Sequence, residues 1–213
     1  MPRRMPQLGS RFAREVDDAL SIAQAGERIR YGSAPGSPGR TELTPYRLNA
    51  IYEMAYLRIF IAWEAFLEDS FLRYLCGYNT PHGRPHLIRG PFRNLGAGQI
   101  AWLGSERFVS WVAIDRVLRR CRRFVARGLH EQVLDSNRTR LECFAAIRHR
   151  IAHKSHYSVR QFDAATTQLA GRRYPGSSAG HFLRDWTPML QPGQRWIQTM
   201  STELKNLSTQ IVP

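Results

Sequence analysis

The feature that most constrains this chain is a segment from residue 45 to 75 whose apolar residues repeat at helical spacing. Thr44-Pro45 reads as a cap followed by proline at the first helical position, where proline's missing N–H would have no intrahelical partner anyway. Two apolar stripes follow, one containing Trp63 and the other Tyr56. A helix that is apolar on two sides lies at the centre of a fold or in an interface. The sequence therefore predicts a helix from about Pro45 to Leu75 within an all-α fold.

A second predicted helix ends in a cluster of basic residues. The stretch 141–156 has an apolar stripe at three- and four-residue intervals, and Asp135-Ser136-Asn137 offers cap residues before it. His149 and His153 are four residues apart and share one face of this helix. Arg148 and His153 are five residues apart, roughly 140° around a straight helix, which a long arginine side chain can bridge. These three residues form a candidate active site.

The sequence Arg148-His-Arg-Ile-Ala-His153 resembles the signature of the HEPN domain family. In that family an Arg is followed by Asn, Asp or His and, after four to six residues in all, by a His. The Ile-Ala-His ending is also typical, and residues 63–68 look like the same region of the RiboL-PSP-type branch. The resemblance covers roughly residues 45–170. It implies a helical bundle and, for many members, a metal-independent endoribonuclease, often a toxin or antiphage effector, with its site where two copies of the motif helix meet.

The resemblance also implies roles for individual side chains. Arg148 and His153 would be catalytic, with His149 as a further catalytic candidate. Glu64 on the long helix would hold the Arg148 guanidinium by a bidentate contact, although an ordinary exposed helix carboxylate explains Glu64 equally well. Two other basic residues of the stretch could add phosphate contacts, namely Lys154 and His156.

Cleavage of RNA without a metal or cofactor explains why this chemistry needs Arg and His. A base must take the 2′-hydroxyl proton, an acid must protonate the leaving 5′-oxygen, and a cation must stabilise the charged phosphorane. Histidine can perform either proton transfer near neutral pH, and arginine stays charged at any working pH. One His153 per chain supplies half of the pair. A two-fold dimer would supply the second imidazole, and His149 is the alternative within one chain.

The charge of the chain favours a polyanionic partner. The 213 residues carry a formal net charge of +14 with a pI near 10.8, which suggests nucleic acid and, given the motif, RNA. Almost all of the basic residues are arginine, however, with only Lys154 and Lys205 as lysines. A GC-rich genome would produce the same bias without any RNA partner.

The densest basic face is predicted on a helix over about 112–126. Its apolar residues point inward and its arginines outward, which would give a track for phosphates that binds by charge and independently of sequence. A solvated arginine-rich surface is the competing interpretation. The RNA-binding candidates on this face are Arg116, Arg119, Arg120 and Arg123.

Three alternatives apply to the motif. His149, His153 and His156 have a spacing that can ligate zinc, but a fourth ligand would have to come from about two turns back along the helix. A non-catalytic module that binds RNA or a nucleotide would use Arg148 and His153 as structural groups. A family branch that is paired with a nucleotidyltransferase antitoxin carries Arg-x4-His-x-Tyr. Here Ser155 departs from that pattern, so such a partner is in doubt.

The rest of the chain suggests one domain with extensions. An N-terminal helix is predicted at about 10–30, and residues 31–40 form a Gly/Pro/Ser loop that we expect to be mobile or disordered. Residues 76–105 contain six Gly and three Pro, which indicates a long irregular connection. A short helix ends at Gly171, and a helical extension occupies about 171–213.

Composition also limits which cellular compartment and which binding partners we expect. Three widely spaced cysteines indicate neither a disulfide framework nor a zinc knuckle. No apolar run approaches the length of a membrane span, and none follows the basic start as a signal peptide requires. We therefore expect a soluble, cytoplasmic protein without a membrane partner. A homodimer and an antitoxin or other regulatory partner follow from the resemblance.

Overall fold

A computed structural model describes residues 3–79, 83, 85–174, 178–188 and 193–212. Ten α-helices lie within these ranges, and the extended pairing among them is limited to isolated bridges such as that between Leu87 and Val125. The fold is all-α, as the sequence predicts. In chain order the helices are α1 Leu8–Gly32, α2 Pro38–Glu42, α3 Pro45–Leu75, α4 Leu95–Leu103, α5 Ile114–Cys121, α6 Leu129–Ser136, α7 Arg138–Ala152, α8 His156–Ala170, α9 Ala179–Arg184 and α10 Trp196–Ile211.

The packing divides the chain into two compact units. The first comprises Met1–Ala13, Ala62–Leu141 and Leu204–Pro213, and the second comprises Arg14–Ile61 and Glu142–Glu203. Helices α1, α3, α7 and α10 each contribute residues to both units. The prediction of a single domain with a core at about 45–170 stays a prediction.

An aromatic cluster forms the core of the first unit. The rings of Trp102 and Trp111 stack at 5.3 Å, and Phe71 lies 4.7 Å from Trp102. His130 is buried against the edge of this cluster and shares a hydrogen bond of 2.8 Å with the hydroxyl of Ser70. Such aromatic pairs stabilise the folded state by more than the burial of their apolar surface alone would.

Helix α4 lies in the region that the sequence predicts to be irregular. The Asn94 side chain caps it by accepting a hydrogen bond of 2.9 Å from the backbone N–H of Ala97. Trp102 near its end is fully buried in the aromatic cluster. The prediction of a long irregular connection over 76–105 is therefore wrong at 95–103, because the cap and the burial of Trp102 outweigh the low helix propensity of glycine.

The second unit contains a buried ion network and a close helix contact. Glu27 on α1 pairs with Arg195 at 2.7 Å and with Arg184 at 3.3 Å, and all three side chains are largely shielded from solvent. A Cβ atom at Gly180 would overlap the backbone of Asn49, so α9 approaches α3 as closely as only glycine allows. This contact fixes the start of α9 against the first turns of α3.

The segment after α1 is more regular than its composition suggests. Helix α1 continues to Gly32, and α2 begins at Pro38, so the prediction of a mobile or disordered loop over 31–40 is wrong at 31–32 and 38–40. Proline at the first position of α2 fixes a helical φ. The Arg30 side chain donates to the carbonyl oxygens of Arg40 and Leu43, which holds the segment against the end of α1.

The predicted helices match the structure best where they are long. Helix α3 has the predicted bounds, and α8 ends at Ala170 with Gly171, at a φ of 69°, as its C-cap. On α3, however, Met54 is 71% exposed and Ile61 is 60% exposed. Two turns of α3 thus present apolar side chains to solvent.

None of the helices in the described residues combines the length and the hydropathy that crossing a membrane requires.

Candidate active site at the end of the motif helix

The turn between α7 and α8 holds the motif residues in place. Helix α7 ends at Ala152, and the His153 N–H still donates to the His149 carbonyl oxygen at 2.9 Å. Ser155 then caps α8 by accepting from the Ser158 N–H at 3.2 Å. The Ser158 hydroxyl is buried and lies 2.7 Å from the His153 carbonyl oxygen, to which it donates. Sequence reasoning missed Ser158, because a serine at this position is not the Glu or Gln that marks a capping box.

Two imidazoles lie side by side on the exposed face of α7. The ring centroids of His149 and His153 are 4.5 Å apart with an interplanar angle of 50°. The Tyr157 ring, on the first turn of α8, meets the His149 ring edge-on at 6.3 Å. Spacing of four residues predicts the first contact, and it is confirmed. The contact with Tyr157 depends on the geometry of the turn, which the sequence leaves open.

The environment of His149 favours its neutral form. Partial burial lowers the pKa of His149 below its ordinary value, and the positive charges of His153 and Arg148 lower that pKa further. His149 therefore remains neutral, and able to accept a proton, at a lower pH than a free histidine. A neutral imidazole beside a cation is the protonation state that a general base needs.

Arg148 is less accessible than its two neighbours. Its side chain is partly buried and the Nε atom is shielded from solvent, whereas His153 is exposed. The charge of Arg148 nevertheless acts on His149. The second unit thus holds a permanent cation close to the His149 imidazole at one end of α7.

Glu64 lies on the part of α3 that belongs to the first unit. Its side chain is partly buried and its Oε1 atom is shielded from solvent. It is therefore more than an ordinary exposed helix carboxylate. The pairing of Glu64 with Arg148 stays a prediction.

Lys154 and His156 contribute to a cleft of the second unit. They line it together with Arg150, and its volume is about 410 Å³. Lys154 and His156 are exposed, and Arg150 is partly buried. Sequence reasoning singled out Lys154 and His156 but gave no role to Arg150.

The basic helix is shorter and less uniform than predicted. Helix α5 spans Ile114–Cys121 rather than about 112–126, and its predicted inward residues are buried. Arg120, however, does not point outward, because its side chain is only 14% exposed. It pairs with Glu106 at 3.1 Å, donates to the Leu103 carbonyl oxygen and lies over the Trp102 ring at 5.3 Å. We therefore withdraw Arg120 from the candidates for RNA contact.

The other arginines of this surface fall into two classes. Arg116 pairs with Glu106 at 2.8 Å, and Arg122 pairs with Glu131 at 2.7 Å. Arg119 and Arg123 are exposed, and their side chains make no ion pair or hydrogen bond with any residue that the structure describes. Arg119 and Arg123 therefore present positive charge that no described carboxylate compensates.

The histidines of the motif do not assemble a metal site. Within the described ranges no group of three or more His, Cys, Asp or Glu side chains is placed to hold an ion. His149 and His153 are in ring contact, while His156 lines the cleft with Arg150 and Lys154. The zinc interpretation of the three histidines is therefore not supported.

Comparison of the chain with protein-family models, with curated proteins and with solved structures finds no match.

Proposed function

We propose that the chain is a metal-independent endoribonuclease of the HEPN type, active as a homodimer in a toxin or antiphage role. The observation that carries the proposal is the Arg148-x4-His153 motif at the end of α7, with the His149 and His153 rings in contact on its exposed face. A cation and two imidazoles, one to take a proton and one to give a proton, are the minimum set for this reaction.

The reaction is a transfer of the phosphodiester to the neighbouring 2′-hydroxyl. The 2′-oxygen attacks phosphorus while a neutral imidazole takes its proton, and the bond to the 5′-oxygen breaks as an imidazolium protonates that oxygen. The products are a 2′,3′-cyclic phosphate and a 5′-hydroxyl. His149, whose pKa is lowered by burial and by two positive neighbours, suits the base, and Arg148 would stabilise the phosphorane.

The spacing of the two rings favours a dimer. Centroids 4.5 Å apart put the rings in direct contact, so a phosphate group cannot lie between His149 and His153 of one chain. A two-fold arrangement of motif helices would place the imidazoles of a second chain on the opposite side of the phosphate. The exposed Met54 and Ile61 on α3 add apolar surface that suits an interface. Control by an antitoxin or another regulatory partner is part of the proposal.

A non-catalytic RNA-binding module is the second candidate. Its support is the partial burial of Arg148, whose Nε atom is shielded from solvent. Buried arginines of this kind often have structural roles, and the two imidazoles alone would then contact RNA. This module would bind RNA without cleaving it.

Digestion of RNA by the purified protein separates the candidates. We expect cleavage in excess EDTA, 5′ fragments that end in a 2′,3′-cyclic phosphate, and no cleavage of DNA or of RNA with 2′-O-methyl groups. Arg148→Ala and His153→Ala should each lower the rate by about 100-fold or more, because each removes a group that acts in the transition state. Arg160→Ala on α8, an exposed arginine, is the control. Binding of RNA without cleavage would favour the module, and activity restored by a divalent metal would exclude the proposed mechanism.

A further inference from the structure

The second unit contains a cleft that the catalytic proposal does not use. It lies where the start of α3, the turn from α7 to α8 and the start of α9 meet, and its volume is about 410 Å³. Binding sites for small organic ligands have volumes in this range. The side chains that matter for its chemistry are Tyr46, Glu53, Arg150, Lys154 and His156.

The cleft carries net positive charge, because Arg150 and Lys154 outnumber the single carboxylate among its described lining residues. Arg150, Lys154 and His156 make no ion pair and no side-chain hydrogen bond with any described residue. The one carboxylate in the lining, Glu53, accepts a hydrogen bond of 2.9 Å from the Gly180 N–H and so has a structural role. An anion with several acceptor oxygens, such as a phosphate group, would satisfy these donors.

The same cleft also offers apolar surface for a flat ring. Tyr46 at its edge is 80% exposed, and its ring makes no aromatic contact within the described part of the chain. Ile151 and Val159 add aliphatic surface inside the cleft. An exposed tyrosine beside two cations is the combination with which proteins hold a base and its phosphate.

We propose that this cleft holds one nucleotide of single-stranded RNA beside the cut site, with its phosphate on Arg150 and Lys154 and its base against Tyr46. This rests on the proposed nuclease function. Arg150 directly follows His149, and Lys154 directly follows His153. On α7 the neighbours His149 and Arg150 point about 100° apart around a cylinder roughly 10 Å wide, and a short stretch of RNA strand can span the separation of their side chains. The base must be unpaired to stack on the tyrosine, so the substrate is single-stranded.

The test measures binding rather than cleavage, so that it does not depend on catalysis. A fluorescent single-stranded oligonucleotide with 2′-O-methyl groups is titrated with the wild-type chain and with variants at low salt. We expect Arg150→Gln with Lys154→Gln to weaken binding tenfold or more and to flatten its salt dependence. Tyr46→Ala should weaken binding at least fivefold and leave the salt dependence unchanged, since it removes stacking and no charge.

The control is a double variant that loses the same charge elsewhere in the second unit. Arg14 and Arg28 on α1 are exposed, and their side chains have no ion pair or hydrogen bond among the described residues. Arg14→Gln with Arg28→Gln should change binding less than twofold. Equal weakening in both double variants would overturn the proposal, because net charge alone would then explain the effect. Thermal melting of each variant checks that it is folded.

Two further comparisons are needed. One distinguishes a free nucleotide from a nucleotide within an RNA strand, and the other distinguishes failure of the cleft proposal from failure of the nuclease proposal. A free 5′-mononucleotide should displace the oligonucleotide only at concentrations far above the oligonucleotide's dissociation constant. Displacement at similar concentrations would show that the cleft binds a free nucleotide rather than part of an RNA strand, and would overturn the proposal. If wild-type protein cleaves RNA while the cleft variants bind normally, the cleft proposal fails and the nuclease stands. If the cleft variants lose binding while wild-type protein cleaves no RNA, the nuclease fails and the site stands as a nucleotide-binding cleft.

Discussion

The hydroxyl group of Tyr56 donates a hydrogen bond of 2.9 Å to the backbone carbonyl oxygen of Phe144. Both residues are fully buried, so this bond joins the first half of α3 to the middle of α7 without access to water. Burial raises the pKa of Tyr56 well above its ordinary value, and the phenol stays protonated as a donor. This polar contact inside the core thus helps to hold α7 in position one turn before the motif.

Removal of this hydroxyl tests the contact. Tyr56→Phe should lower the free energy of unfolding by about 1–2 kcal/mol, as a buried hydrogen bond is lost while the ring still fills its space. Urea denaturation measures the change. Tyr157→Phe removes the hydroxyl of an exposed tyrosine that accepts from Gln161 at 2.8 Å, and it should cost less than about 0.5 kcal/mol. Equal losses in the two variants would mean that the buried bond adds nothing.

The titration of His149 reports on its neighbours. In NMR titrations its midpoint should lie below about 6.5, the value of a free histidine, and it should rise in His153→Gln because one positive neighbour is removed. It should still stay below the ordinary value, since burial is the larger cause. His156→Gln is the matched control and should leave the His149 midpoint in place. A His149 midpoint at or above the ordinary value would contradict the geometry.

A dimer through the motif helices should be trapped by a disulfide. Ala146 lies on the face of α7 that carries His149, one turn before it, and is only partly buried. Ala146→Cys should cross-link under mild oxidation, because facing helices at a two-fold axis bring equivalent residues close together. The three native cysteines are buried and should not compete. Ala164→Cys on α8 is the control, and cross-linking in that variant alone, or a monomer at micromolar concentration, would argue against the dimer.

The two uncompensated arginines of the basic surface should dominate any charge-based RNA contact there. Arg119→Gln with Arg123→Gln should lower the slope of log affinity against log salt by roughly one unit or less for each lost phosphate contact. Arg116→Gln with Arg122→Gln removes the same charge but breaks existing ion pairs, so its effect on the slope should be smaller. Unchanged slopes in both variants would show that this surface is solvated and does not contact RNA.

Acid should destabilise the chain through His130. Burial lowers the pKa of His130 to about 3, whereas in the unfolded chain it is about 6.5. Between these values the unfolded chain binds a proton that the folded chain does not. The resulting stability is complete above about pH 6.5 and is lost as the pH falls towards 3, by up to about 1.4 kcal/mol per pH unit.

Comparison of urea denaturation at pH 7.5 and pH 5 measures this effect. Wild-type protein should lose about 2 kcal/mol through His130 between these conditions. His130→Gln should be less stable at pH 7.5 but should lose about 2 kcal/mol less than the wild-type chain on acidification. An identical loss in both proteins would show that His130 does not stay neutral in the folded state.

Local signals account for what the sequence predicted well. Proline at the first position of α3 and glycine after α8 act within one turn of the chain, so the ends of these helices can be read directly. The contact between His149 and His153 follows from helical spacing alone. These features need no knowledge of distant segments.

Long-range packing explains what the sequence did not predict. Helix α4 contains Gly98, a residue that weakens an isolated helix, yet Gly98 and Trp102 are buried by packing against distant segments. Arg120 follows an outward pattern, yet Glu106 from a preceding loop draws it inward. The cleft at Arg150 needs the starts of α3 and α9, more than a hundred residues apart in sequence. The periodicity of apolar residues within one helix carries no information about contacts between such distant segments.

The close approach at Gly180 has an evolutionary consequence. Any substitution there pushes a side chain into the backbone of Asn49, so natural selection should keep this glycine in every descendant of the gene that retains α9. Its invariance would rival that of His153, although Gly180 has no functional group to offer a substrate. A ranking of positions by invariance would therefore not distinguish residues kept for close packing from residues kept for their functional groups. Protein abundance in cells would tell them apart, since Gly180→Val should be degraded while His153→Ala should accumulate normally.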